Sequence, residues 1–394
     1  MAIAASARRP DPFALSEEER GVRDTAAAFA QRELAPTVAR RDEEERYDRA
    51  LFDRMGELGL AGIPYPEEYG GAGMGTFAWI LACEEIAAAD MGMAISLSVH
   101  ILSQLCIQAY GTDEQRARFL PPMTAGRQLG AFALTEPQAG SDASAIVLRA
   151  DRTDAGYALT GTKVWITNGA DAEVVVVFAT VDRGKGREGI TAFVVERDTP
   201  GFRVGSHERK MGIRDSASVE LIFEEALVPA ANRLGEEGQG LKVALSCLGA
   251  GRISIAAACV GLARAALEHA ARYAAQRTQF GRPIADQEMI QAMLADAATS
   301  VEAARLLTWR AARLRDAGQP FNAASSMAKL YASDTAMRVA TDAVQVYGGA
   351  GYSRDNPVER FMRDAKGAQI YEGTNQVQRL IVAQHLIEEV RRTG

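Results

Sequence analysis

The sequence predicts a mainly α-helical protein with a central β domain, and three observations lead there. Apolar residues recur at helical spacing through residues 1–120 and again through 235–394. Between them, runs rich in Val, Ile, Thr and aromatics alternate with Gly, Asp and Asn turns. Breaker clusters, Pro121-Pro122 and Leu234 to Gly240, fall where the pattern changes. The expected organisation is an N-terminal all-α domain (1–120), a middle β domain (121–234) and a C-terminal helical bundle (235–394).

Ser16-Glu17-Glu18-Glu19 is a capping box, and Val22, Ala26, Phe29, Ala30 and Leu34 follow at helical spacing. Further helices are predicted over 51–58, 76–89 and 93–110, and after the box-like Thr112-Asp113-Glu114-Gln115. The Gly70 to Gly75 stretch has neither dinucleotide-fingerprint nor P-loop spacing, and reads as a flexible connector. A proline pair cannot continue a helix, so Pro121-Pro122 is predicted to end the first domain. Strands are predicted over 161–167, 173–181, 190–196 and 218–223, forming a largely antiparallel sheet. The unbroken Val174-Val175-Val176-Val177-Phe178 predicts a strand covered on both faces. Crossover helices do not fit between these runs, which argues against a Rossmann sheet. Long helices are then predicted over 241–275, 284–317 and 322–347, and shorter ones over 358–370 and 375–390.

At 394 residues the chain can form two or three cores, and its 47% hydrophobic and 24% charged content is ordinary for a globular protein. No uninterrupted apolar stretch approaches the roughly 18 residues of a membrane span, so membrane insertion is not expected. The formal charge of −7 argues against a nonspecific nucleic-acid partner. Cys83, Cys106, Cys247 and Cys259 form no Cys-x-x-Cys pair and read as buried free thiols suited to a reducing compartment. Met1 to Phe13 carries Arg8 and Arg9 without a following apolar region, so no secretory signal is expected; cytoplasm is the default, and a short transit segment stays open. The four histidines lack metal spacing, no metal site is predicted, and there is no Gly-x-Ser-x-Gly elbow.

What remains for chemistry is a set of glycine- and hydroxyl-rich joints. They are Leu134 to Asp142, Trp165-Ile166-Thr167, Arg277 to Gly281, Gln345 to Gly349, and Ile370 to Arg379. Singly each can be a turn. Together they offer amides and hydroxyls for a pyrophosphate, an indole for a ring and an arginine for anionic oxygens. Glu372 sits between two helical runs, with Gly373 as breaker and Thr374 as candidate N-cap. Such a corner can hold a general base, or simply a solvated carboxylate.

With these joints in place, the sequence resembles the FAD-dependent acyl-CoA dehydrogenases over nearly its full length. The resemblance is nearest to the short-chain (butyryl-CoA) and 2-methyl-branched branches. It rests on Ala131 to Pro137, Trp165 to Gly169, Arg277 to Gly281, Tyr347 to Tyr352, Arg363-Asp364-Ala365 and Ile370 to Thr374, in the family's order and spacing. The resemblance implies an α-helical domain, a β domain and a C-terminal four-helix bundle, assembled as a homotetramer, a dimer of dimers. It implies that Phe132, Leu134, Thr135, Trp165, Ile166 and Thr167 line the isoalloxazine, with Ser141 near the FAD and the substrate's phosphate or pantetheine end. Arg277, Phe280, Gln345, Gly348 and Gly349 would reach the FAD of a neighbouring subunit. Thr374 and Gln376 would complete the flavin site, and Arg252, Tyr371 and Gly373 would border the substrate.

In the implied reaction Glu372 removes the α proton of an acyl-CoA and the β hydrogen leaves as hydride to flavin N5, giving a trans-2-enoyl-CoA. Electrons then pass to an electron-transfer flavoprotein. The base's own N–H and a ribityl hydroxyl would hold the thioester oxygen. Some branches carry the base on an earlier helix; Gly251 occupies that position here and cannot act. Three residues depart from the family pattern: Gln138 for a glycine, Gly249 for an aspartate that contacts CoA, and Glu288 for a glutamine that contacts FAD. An oxygen-using oxidase and a catalytically silent acyl-CoA- or nucleic-acid-binding relative are the competing functions.

Overall fold

A computed structural model describes residues 13–393; the N-terminal stretch through residue 12, on which the compartment expectation partly rests, lies outside the described residues. Six helices come first: α1 (Glu17–Phe29), α2 (Val38–Glu43), α3 (Arg49–Glu57), α4 (Gly75–Ala89), α5 (Met91–Tyr110) and α6 (Asp113–Thr124). Both predicted capping boxes form, Ser16 with Glu19 and Thr112 with Gln115. The Gly70 to Gly75 stretch is a tightly bonded turn, not a slack connector. The N–H groups of Gly71, Ala72, Gly73 and Met74 donate to Pro66, Gly62, Tyr65 and Ile63 carbonyls, and the Asp316 carboxylate caps α4 at the Thr76 and Phe77 amides.

The proline pair does not end its helix. α6 runs through Pro121 and Pro122 to Thr124. The two carbonyls that lose their helical donors belong to Ala117 and Arg118, which are exposed, so water can serve them, while Phe119, Leu120 and Met123 bury the opposite face.

The sheet follows with β1 (Gly130–Ala133), β2 (Arg149–Thr153), β3 (Gly156–Thr167), β4 (Val174–Thr180), β5 (Ile190–Glu196), β6 (Phe202–His207), β7 (Ser218–Pro229) and β8 (Arg233–Leu234). Its order is β6-β7-β3-β2-β4-β5-β8, with β1 beside β4. Pairing is mostly antiparallel, but β1 lies parallel to β4 across four residue pairs, Gly130 to Ala133 against Val174 to Val177. Every β4 residue is buried. Val174, Val176 and Phe178 pack towards α5 and α6, whereas Val175, Val177 and Ala179 pack into the second layer of strands. The long apolar run is therefore the seam between domains. His100 on α5 stitches it: one ring nitrogen meets the Met123 carbonyl at 3.0 Å and the other accepts from the Gly130 N–H at 2.9 Å, and burial pushes its pKa down to about 3.

The remainder is helical: α7 (Gly240–Gln276), a two-stranded hairpin β9 (Thr278–Gln279) and β10 (Arg282–Pro283), α8 (Glu288–Asp316), α9 (Asn322–Tyr347), α10 (Val358–Ala368) and α11 (Asn375–Thr393). α8 starts later than its periodicity suggests, because the Ile284 N–H donates to the Arg277 carbonyl and closes the hairpin. α7 crosses the molecule, about 55 Å long at 1.5 Å per residue, and packs on α4, α5, α8 and α9. Small residues permit this: a Cβ on Gly261 would lie 2.1 Å from the Glu84 carbonyl. The expectation from uninterrupted apolar runs needs correction here. α5 and α7 are both long and apolar enough to cross a membrane, with mean hydropathy 1.3 and 1.8, but 83% of each such window is buried inside the protein. Their apolar faces are taken up by neighbouring helices. All four cysteines are free and buried.

Candidate active site

The turn between α10 and α11 forms the Glu372 corner. Glu372 has φ +52° and Gly373 φ +87°. Glycine enters that region freely, whereas a glutamate there is uncommon and must be held. The Thr374 hydroxyl accepts from the Val377 N–H at 3.3 Å, as an N-cap does. The corner turns the Glu372 side chain inward onto α7, where a Cβ on Gly251 would stand 2.6 Å from Oε2. Gly251 is thus the residue that makes room for the carboxylate.

The carboxylate has the electrostatics of a poised base. Burial pushes its pKa up to about 7, against the opposing pull of Lys329 and then Arg252. Oε2 is buried without a hydrogen-bond partner, as are Arg252 Nε and the Tyr371 hydroxyl. An unpaired buried carboxylate oxygen, with the Arg252 guanidinium near enough to act on its charge, marks a site shaped for an occupant. Arg252, buried on α7, reaches Ser326 Oγ at 3.3 Å, and burial lowers its pKa despite the Glu372 charge. The Glu372 N–H has no acceptor among the described residues.

A second cluster lies on the sheet. β3 bulges against β7 between Lys163 and Ile166, and Trp165 there has φ +62° with the side chain 56% exposed. Asn168, φ +66°, fixes the strand end by donating to the Ser96 and Gly130 carbonyls at 2.8 and 3.0 Å. Ile166 is buried and Thr167 half-buried. On β1 and just beyond it, Phe132 leans on Phe178, Leu134 is buried, and the Thr135 carbonyl accepts from the Val164 N–H at 3.0 Å. Ser141 is exposed in the loop beyond. Ser96 and Leu102 stand six residues apart on α5, about 9 Å; the first touches Asn168 and the second lies against Gly251. α5 therefore links the sheet cluster to the Glu372 corner.

A third cluster is remote. Arg277 and Phe280 lie at the β9–β10 hairpin, and Gln345, Gly348 and Gly349 at the end of α9, all exposed. A Tyr273–Tyr347 ring stack at 4.0 Å brings these two ends together. From Gly251 to Arg277 α7 runs 26 residues, about 39 Å. No single side chain spans that distance, so within one protomer this cluster is separate from Glu372. Gln376 is exposed in the first turn of α11.

Sequence reasoning missed four buried polar residues. Lys329 is fully buried, its Nζ donating to the Gly373 carbonyl at 2.8 Å and to Asn375 Oδ1 at 2.9 Å; burial lowers its pKa to about 8. Buried Gln378 donates from Nε2 to the same carbonyl at 3.0 Å and to that of Glu372 at 3.3 Å. In the sheet, Lys163 Nζ reaches the Leu134 carbonyl and Glu136 Oε1 at 2.9 and 2.7 Å. Burial works to raise the Glu136 pKa, but Lys163 and the Val147 and Leu148 amides outweigh it and hold the group below its ordinary value. Of the departures from the family pattern, Gln138 donates to Glu136 Oε2 at 2.6 Å, Glu288 is exposed at the start of α8, and a Cβ on Gly249 would meet Asn322 Oδ1 at 2.8 Å.

Family models match three consecutive segments: the acyl-CoA dehydrogenase N-terminal domain over 16–127, the middle domain over 131–226 and the C-terminal domain over 238–387. The chain belongs to the acyl-CoA dehydrogenase family. An acyl-CoA dehydrogenase of Bacillus subtilis (strain 168) is 47% identical over 374 residues, covering 95% of this chain and 99% of the relative. The structure of butyryl-CoA dehydrogenase from Megasphaera elsdenii superposes with a TM-score of 0.94 at 46% identity, covering 96% of this chain and 100% of that one. A solved structure described as the electron transferring flavoprotein of Acidaminococcus fermentans matches equally, with a TM-score of 0.94, 48% identity, and 95% and 99% coverage. This acyl-CoA dehydrogenase family member is accordingly a flavin-dependent oxidoreductase.

Proposed function

We propose that the chain dehydrogenates short acyl-CoA thioesters between the α and β carbons, with Glu372 as the base. One observation carries the reading: a carboxylate with pKa about 7, buried beside Gly251 with Oε2 unpartnered. A thioester α proton is weakly acidic, and a base poised near neutral pH and shielded from water suits its removal. The free Glu372 N–H can donate to the thioester oxygen as charge develops there. Gly251 leaves room for the carboxylate, and Arg252 and Tyr371 would border the substrate there.

FAD is the cofactor we assign, and when bound it accepts the β hydride. Two features support it: the exposed Trp165 indole on a bulged strand and the unpaired Oε2 of the corner; Thr135, Thr167 and Ser141 would supply hydroxyls. Thr374 and Gln376 follow the corner and would contact the flavin. The remote Arg277, Phe280, Gln345, Gly348 and Gly349 would serve the FAD of a neighbouring subunit, and we read the assembly as a homotetramer on that account. The match to the Acidaminococcus fermentans flavoprotein structure supports an electron-transfer flavoprotein as acceptor. The buried free thiols support the cytoplasm as compartment.

The test is anaerobic flavin bleaching with straight and 2-methyl-branched acyl-CoAs from four to sixteen carbons. Butyryl-CoA is expected to reduce fastest, following the Megasphaera elsdenii neighbour. Failure of the whole panel to bleach the flavin would sink the reading. Rapid aerobic peroxide formation without an added acceptor would make the protein an oxidase instead.

A further inference from the structure

The left-handed pair Glu372-Gly373 needs an external hold, because backbone sterics push a glutamate out of that region. Its flanks are anchored by main chain: the Tyr371 N–H donates to the Gly367 carbonyl at 3.1 Å, and the Asn375 N–H to that of Gln369 at 3.0 Å. Between those anchors the carbonyls of Glu372 and Gly373 receive their bonds from two side chains, Gln378 of α11 and Lys329 of α9.

We propose that Lys329 and Gln378 are positioning residues for the Glu372 base: by holding the carbonyls of Glu372 and Gly373 from two helices, they fix the corner that leaves the Glu372 N–H and Oε2 free for the thioester. This rests on the function proposed above. Both side chains are wholly buried, and Lys329 is secured in turn. Lys329 also donates to Asn375 Oδ1, whose amide nitrogen donates to Ser333 Oγ at 2.9 Å and Asp334 Oδ1 at 2.7 Å. Gln378 keeps its Nε2 on the two carbonyls although its Oε1 is then buried without a partner. Turning the amide over would set oxygen against oxygen, so the orientation serves the corner. A Cβ on Gly373 would lie 2.6 Å from Gln378 Nε2, so glycine is required there for the side chain to reach.

The two residues differ in charge. The charged groups that act on Glu372 are Lys329 of α9 and Arg252 of α7, and the Glu372 charge in turn raises the pKa of Cys83 of α4 and of the adjoining Tyr371. Removing Lys329 takes away both a hold and a cation; removing Gln378 takes away only a hold.

The experiment uses the FAD-loaded full chain and its Gln378→Leu and Lys329→Met variants. Two quantities are read: the limiting rate of anaerobic flavin reduction by butyryl-CoA, and the Glu372 pKa. The pKa comes from infrared titration of the carboxyl band that Glu372→Gln abolishes. Gln378→Leu is expected to lower the limiting rate at least about tenfold, because misplacement of a reacting group by a fraction of an ångström acts at that scale. Its half-saturation and its Glu372 pKa should stay near wild type. Lys329→Met should lose rate similarly and also raise the Glu372 pKa by about one unit, since a nearby cation favours the carboxylate. Wild-type rates in both loaded variants, or losses no larger than their losses of FAD or thermal stability, would overturn the proposal alone. If Lys329→Met does not fold, Gln378→Leu decides by itself. A wild-type flavin that no acyl-CoA bleaches would overturn the functional reading and this one together.

Discussion

Two corners of this chain share one backbone conformation and opposite surroundings. Glu372-Gly373 and Phe280-Gly281 each place a large residue at φ +52° followed by a glycine, at +87° and +77°. The first is enclosed: α7 presses on the carboxylate, and Lys329 and Gln378 hold the carbonyls. The second stands in the open, with Phe280 94% exposed and nothing within 4 Å of a Cβ on Gly281. A left-handed corner supported by its own chain can position a reacting atom. One left in solvent at a hairpin tip, carrying an aromatic ring, can offer a contact to something outside the protomer.

The largest way to test this contrast is Glu372→Gln. A placed general base supplies roughly 10²- to 10⁴-fold, so flavin reduction in stopped flow should fall at least that far while FAD stays bound. Near-normal reduction would remove Glu372 from the chemistry. Next is Gly251→Ala, whose added methyl would stand 2.6 Å from Oε2 and must displace it. A loss of about 10²-fold in the same measurement is expected for a shift of about 1 Å; unchanged rates would mean the corner yields easily.

The pH response sharpens the enclosed side further. Burial holds the Glu372 pKa at about 7, above its ordinary 4.5. The base is charged only above that value, so the reduction rate should fall about tenfold per pH unit below 7. For stability the sign is reversed. A folded pKa raised above the unfolded one gives a contribution that is full below the unfolded pKa and lost as pH rises through 7. Glu372→Gln should therefore unfold later than wild type at pH 8, by up to about 3 kcal/mol, with the gap closing below pH 4. Equal denaturation midpoints at pH 8 would show that solvent reaches the carboxylate.

The smallest effect belongs to the open corner. Phe280→Ala should leave protomer stability within about 0.5 kcal/mol, yet weaken assembly and FAD retention by about 2 kcal/mol if the ring anchors a second subunit. Sedimentation and FAD content after dilution measure both. No change in either would reduce the hairpin to a solvated turn.

These contrasts also mark what could be read before folding. The corner was legible because a breaker glycine and a capping threonine sit between two helical runs, and the fully covered β4 was legible from its unbroken valines. Lys329, Lys163 and Gln378 were not. A lysine ordinarily lies in solvent, and only the chain packed against it later reveals a carbonyl at its end. The proline pair misled because the cost of two lost bonds depends on whether water reaches Ala117 and Arg118. The long hydropathic windows of α5 and α7 were missed because polar residues interrupt them, and these are buried with the rest of each helix. The left-handed setting of Trp165 accompanies a bulge in the pairing of β3 with β7, which no local pattern encodes.

One consequence of α7 concerns inheritance. A single unbroken helix joins the room made by Gly251 to the hairpin bearing Arg277 and Phe280, so it acts as a ruler between the Glu372 corner and that hairpin. Inserting or deleting one residue between positions 252 and 276 would turn the far end by about 100° and move it about 1.5 Å. Substitutions along this stretch can be tried one at a time. A change in its length would have to be matched by all the neighbouring helices at once, which makes its residue count harder to alter than its composition.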